Sequence, residues 1–129
     1  SAVFEELKLG FSYSIESLMK KDSLEITDED REVIFRKVRE DPATRILITH
    51  GTDTMALTGV RLKEIEGKTI VLTGAMQPAA FKRTDAHFNI GFAVSALQIL
   101  PPGVYLAMNG ELFDPSRARK NMDLDRFEV

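Results

Sequence analysis

Two apolar runs, ILIT at 46–49 and TIVLTG at 69–74, most constrain what this chain can fold into. Neither alternates apolar with polar side chains, and the second is rich in β-branched residues. A strand that is apolar on both sides must be covered on both sides, which is the environment of a parallel sheet layered between helices. Between the runs, TMALTGVRLKEI (54–65) places Met55, Leu57, Val60, Leu62 and Ile65 mostly on one broad helical face, and Gly67 closes it. The unit reads as strand, helix, parallel strand.

The same rhythm extends outward. Residues 2–8 look like the end of a helix stopped by Gly10, and FSYSIESL (11–18) alternates as a half-buried strand would. KKDSLEI is polar and loop-like. Thr27 followed by Asp28, Glu29 and Asp30 is a helix start, because a capping hydroxyl and early acids satisfy free N–H groups and complement the dipole. Ile34, Phe35 and Val38 then share a face, and Asp41-Pro42 ends the helix. After a loop at AMQPAAFKRTD (75–85), Asp85 can cap a helix through FNIGFAVSALQIL, which Pro101-Pro102 stops. VYLAM is a further strand, and ELF after Asn109-Gly110 reads as its hairpin partner. The expected class is α/β, a mostly parallel sheet sandwiched between helices, without internal repeats or linkers.

Composition narrows function by exclusion. With 129 residues the chain reads as one domain, able to bury about 68–70% of its unfolded surface. Its 43% hydrophobic and 29% charged residues are those of an ordinary globular protein, and a net charge of -3 gives no general attraction for nucleic acid or anionic lipid. The absence of cysteine removes disulfides, thiol nucleophiles and cysteine-bound metals. No segment has the length of a membrane span and SAVFEELKLG lacks the pattern of a signal peptide, so a cytoplasmic location is expected.

In open parallel sheets ligands bind beyond the carboxyl ends of the strands, which directs attention to the loops after residues 18, 49, 73 and 108. In HGTDT (50–54), Gly51 allows a tight exit from the strand, while Thr52 and Asp53 would sit at the N-terminal end of the next helix. The plain reading is a helix cap, and His50 is as readily structural as basic. TGAMQP (73–78) offers small residues that permit close backbone approach, or simply strand–helix packing. Ser23 in KDS is ordinary turn chemistry by itself, and Arg117, Arg119 and Lys120 in PSRARKNMD read first as solvated surface. A threonine hydroxyl attacks an amide only with a base beside it. Thr52 with Lys120 as base and Asp53 as anchor would supply that chemistry, although spacing alone does not bring the three together.

HGTDTM (50–55) together with TGAMQP resembles the bacterial-type L-asparaginases and the related glutaminase-asparaginases and amidotransferase subunit. The match continues in order: KDSLEITDED is similar to the family's serine loop, TDAHFNIGFAV to its Asp-x-x-x-Asn helix start, and MNGELFDPSRARKN to the stretch with its catalytic lysine. The resemblance implies hydrolysis of a small side-chain amide to acid and ammonia by a threonine-based mechanism. Thr52 would be the second catalytic threonine, Asp53 the neighbour that also binds the substrate amino group, and Lys120 the lysine completing the set. Ser23, Gly51, Thr52, Asp53 and the backbone at Ala75 would contact substrate, while Asp85 and Asn89 would fasten the helix beneath. No cofactor and no metal are expected. The expected partners are the small-molecule amide and further copies in a homo-oligomer, with no nucleic acid and no membrane.

Three departures accompany the resemblance. The family's opening strand, with a TGGTI-like motif carrying the first catalytic threonine, has no counterpart in this chain, so the sheet is expected to lack its first strand and this chain to show little activity. Leu24 stands where many members have a polar residue holding the substrate carboxylate. The family continues into a smaller C-terminal domain where this sequence ends near FEV, so a single N-terminal, catalytic-type domain over residues 1–129 without that C-terminal domain is expected. The alternative to an amidohydrolase is a non-catalytic amino-acid-binding or protein-interaction module on the same fold.

Overall fold

The computed structural model describes residues 10–19, 21, 23–74, 82–121, 124 and 126–129. The helix expected at 2–8 lies outside the described residues. A short 3-10 turn, Ser23–Glu25, leads into helix α1 (Asp28–Glu40). Thr27 caps α1 as its sequence requires: its hydroxyl accepts from the Asp30 N–H at 3.1 Å, and the Asp30 carboxylate accepts from the Thr27 N–H at 2.9 Å. Ile34, Phe35 and Val38 are buried on the expected face, joined by Arg31 one turn earlier. Asp41, ahead of Pro42, is already extended.

Strand β1 (Arg45–Thr49) follows, then helix α2 (Met55–Leu62), β2 (Thr69–Thr73), helix α3 (Lys82–Ile99), β3 (Gly103–Met108) and β4 (Glu111–Phe113). These strands form one sheet in the order β1-β2-β3-β4, with the first three parallel and β4 antiparallel to β3. Asn109 and Gly110, with φ of 55° and 79°, make the two-residue turn that asparagine-glycine favours. Every residue of β2 is buried, as its unbroken apolar run demands. Ile70, Leu72, Leu106 and Met108 point to one side, against Ile34, Phe35, Met55 and Leu62, whereas Val71 and Ala107 point to the other, against Ala93 of α3. Helices therefore cover both faces. Because the order β1-β2-β3 advances in one direction while α2 and α3 lie on opposite faces, the two crossovers have opposite hands, and one is the left-handed form that parallel sheets rarely use.

Four sequence expectations need correction. FSYSIESL is not a strand: residues 11–17 are exposed, and none of them pairs with a described strand, so alternation alone does not supply the ladder a strand needs. Helix α2 stops at Leu62, not Ile65, because its last turn tightens into short-range bonds from Lys63 N to Val60 O and Ile65 N to Leu62 O. Its buried stripe is Met55, Thr58, Gly59 and Leu62, while Leu57 and Val60 are 58% and 44% exposed. Asp85 does not cap α3 but falls in its first turn, since the helix already includes Lys82. Beyond β4, a second sheet of two antiparallel strands, β5 (Arg119–Asn121) and β6 (Arg126–Glu128), had no signal in the sequence beyond its basic cluster. It is seated on the core by Phe127, whose ring lies 6.1 Å from that of Phe113. Among the described residues, no helix is long and apolar enough to cross a membrane.

Candidate functional site

The carboxyl ends of β1, β2 and β3 converge, and each exit is held by a specific bond. The His50 N–H extends the β1–β2 pairing to the Thr73 carbonyl at 2.9 Å. Gly74, next on β2, passes so close that a Cβ there would collide with the His50 carbonyl oxygen and lie 3.1 Å from Met55 Cε. Asn89, fully buried on α3, donates to the Gly74 carbonyl at 2.8 Å and accepts from the Asn109 N–H at 3.0 Å. One side chain thus ties the end of β2 to the end of β3. Asp85 accepts a second Asn89 bond at 3.2 Å, which fixes which end of the amide is the donor.

His50 is buried and serves the loop as structure. Its Nδ1 is 2.6 Å from the Gly51 carbonyl, an obligate acceptor, so Nδ1 carries the proton. Nε2 must then accept, and it takes the Thr58 hydroxyl proton at 2.8 Å, while Thr58 Oγ1 accepts from Arg31 Nε at 3.2 Å. This directed chain runs from α1 through α2 to the Gly51 peptide. Burial, partly opposed by the bond to Gly51, holds the imidazole pKa below its ordinary value, and the nearby Arg31 charge adds to the effect.

Thr52 and Asp53 do not cap α2, contrary to the plain reading of HGTDT. The cap position is Thr54, whose side chain makes no capping bond. Thr52 is instead buried, and its Oγ1 lies 2.7 Å from Lys120 Nζ, which is also 2.9 Å from Asp53 Oδ1. The Lys120 side chain is 15% exposed and that of Asp53 38%, so the lysine is enclosed while the carboxylate keeps a face to solvent. Lys120 reaches this position from β5, paired opposite buried Phe127, and the reading of it as solvated surface is overturned. Arg119, by contrast, is a surface residue bonded to Glu128 at 3.1 Å.

The structure therefore brings together three of the residues singled out in the sequence, with Gly51 beside them. Ser23 opens the 3-10 turn before α1, and Leu24 next to it is 77% exposed. Ala75 lies outside the described residues. Among the described residues, no group of three or more His, Asp or Glu side chains is placed to hold a metal ion. Arg31 and Thr58 went unnoticed in the sequence, yet a signal existed: both occupy core positions of helical stripes, 31/34/35/38 and 55/58/59/62, where a polar residue needs a partner.

The model of the family described as Asparaginase, N-terminal, matches residues 2–128. The L-asparaginase of Thermococcus kodakarensis is 32% identical over 126 residues, which are 92% of this chain and 38% of that protein. L-asparaginase 1 of Escherichia coli K12 is 33% identical over 105 residues, 77% of this chain and 31% of that protein. Among solved structures, the thermostable Thermococcus kodakarensis L-asparaginase superposes with a TM-score of 0.85 at 30% identity, over 98% of this chain and 41% of that one. The chain spans about two-fifths or less of the length of these relatives.

Proposed function

We propose, from the premise that this chain belongs to the asparaginase family through its N-terminal domain, that the protein hydrolyses the side-chain amide of asparagine or a close relative. The observation that carries the reading is the placement of Lys120 Nζ within hydrogen-bond reach of both Thr52 Oγ1 and Asp53 Oδ1. As an ammonium, Nζ donates to both oxygens. As an amine it accepts the Thr52 hydroxyl proton and still donates to Asp53, so the trio can take a proton as an oxygen attacks the amide carbon and return it to departing ammonia. The balance is amide plus water to carboxylate plus ammonium. In this reading Thr52 acts as the second catalytic threonine of the family pattern, with Lys120 as the base and Asp53 holding the resulting ammonium.

The open face of Asp53 suits the α-ammonium of an amino-acid substrate, and Ser23, Gly51 and the Ala75 backbone are assigned to the remaining substrate contacts. Neither step calls on a cofactor. The test is ammonia release from L-asparagine and L-glutamine by the protein as encoded, beside Thr52→Val and Lys120→Met. Turnover that both substitutions abolish, with the fold retained, supports the assignment. Binding of the amino acids without turnover would replace it with the binding-module reading.

A further inference from the structure

Helix α2 touches both halves of the site. Its N-terminus continues from Thr52 and Asp53, and its other end meets the turn that delivers Lys120. That turn, residues 114–118, is compact: the Arg117 and Ala118 N–H groups donate to the Asp114 carbonyl at 2.9 and 3.0 Å, and the Ser116 N–H donates to the Asp114 carboxylate at 2.9 Å. Lys63, the C-cap of α2, donates through Nζ to Asp114 Oδ1 at 2.7 Å and Ser116 Oγ at 2.8 Å. One turn earlier, the Pro115 ring occupies the space a side chain at Gly59 would need, since a Cβ there would lie 2.7 Å from Pro115 Cβ. Ala118 packs against the core and leads directly into β5.

We propose that α2 is a rigid spacer, about 12 Å long at 1.5 Å per residue, that fixes the distance from Lys120 to Thr52 and Asp53, with Lys63 and Asp114 as its positioning residues. The proposal rests on the trio being the reaction site. Lys63 bonds to Asp114 and Ser116, whereas Lys120 bonds to Thr52 and Asp53, so the two residues would act on Lys120 through the turn that carries it. Both are substantially exposed, at 39% and 47%, so their ion pair adds little to global stability and its effect is expected in geometry.

The experiment replaces Lys63 with Met or Arg, and Asp114 with Ala, in the protein as encoded. Two quantities are read: the NMR chemical shifts of Lys120 Cε and Nζ at one fixed pH, with Asp53→Asn as the reference for a lysine that has lost its carboxylate, and steady-state kinetics with L-asparagine. The expectation is that Lys63→Met and Asp114→Ala move the Lys120 signals toward their positions in Asp53→Asn and lower kcat by about 10- to 100-fold with KM little changed. Lys63→Arg restores both, and melting temperatures stay close to wild type. Unmoved Lys120 signals in Lys63→Met and Asp114→Ala overturn the proposal. Because those signals need no turnover, a wild-type protein inert toward amides would refute the proposed function while leaving the spacer to be judged by NMR alone.

Discussion

Replacing Asn89 with alanine removes three hydrogen bonds at once: to the Gly74 carbonyl, from the Asn109 N–H, and to the Asp85 carboxylate. Asn89 has no exposed surface, so water cannot simply take its place inside the fold. Each buried backbone group left without a partner costs about 1–3 kcal/mol. Since both backbone partners lie near the loop surface and regain part of their solvation, the expected total is about 2–4 kcal/mol, including the small cavity left behind. Urea unfolding followed by circular dichroism measures it. Asn89→Leu serves as the informative control, because it refills the volume while leaving the same backbone groups unpaired, and it should be destabilised to a similar degree. Asp85→Ala, which leaves both backbone bonds in place, should cost no more than about 1.5 kcal/mol. If Asn89→Ala stays within about 0.5 kcal/mol of wild type, the amide is not what joins the exits of β2 and β3.

Gly74→Ala is expected to destabilise by about 1–3 kcal/mol, because its new methyl meets a backbone carbonyl that no rotamer change can move. Gly91→Ala, in α3 with nothing within 4 Å of the added atom, should instead stabilise by up to about 1 kcal/mol in the same unfolding assay. His50 gives a pH signature. Its folded pKa lies below the ordinary 6.5, so between the two values the unfolded chain binds the proton first, and stability present above about pH 6.5 is lost as pH falls through the folded value. Unfolding free energies measured from about pH 7 to 5 should therefore decline with a limiting slope of about 1.4 kcal/mol per unit, and His50→Gln should flatten that decline. An equal slope in both proteins would remove His50 as its source.

What the sequence made legible was the part written in apolar runs. TIVLTG has to be covered on both faces, and the parallel sheet between helices follows from it. The capping box at Thr27 and the asparagine-glycine hairpin were equally readable, because each depends on residues within a few positions. What failed depended on distant partners. Leu57 and Val60 read as core because they are apolar, whereas the stripe facing inward contains Thr58, matched to His50 and Arg31, and Gly59, emptied for Pro115. FSYSIESL alternates well but finds no described neighbour with which to pair. Lys120, within a basic cluster, gave no sign by composition that it turns inward. Its contacts bridge 68 and 67 positions, and only the ordered set of motifs, not local chemistry, associated it with Thr52 and Asp53.

The most direct test of the account is the rate of ammonia release from L-asparagine by the protein as encoded, compared with its Lys120→Met variant. Turnover in the wild type and a loss of about 10²–10⁴-fold in the variant, with unchanged circular dichroism, is the predicted result. Release at the wild-type rate from the variant, or none from the wild type, would contradict the assignment of the Thr52–Asp53–Lys120 cluster as a reaction site.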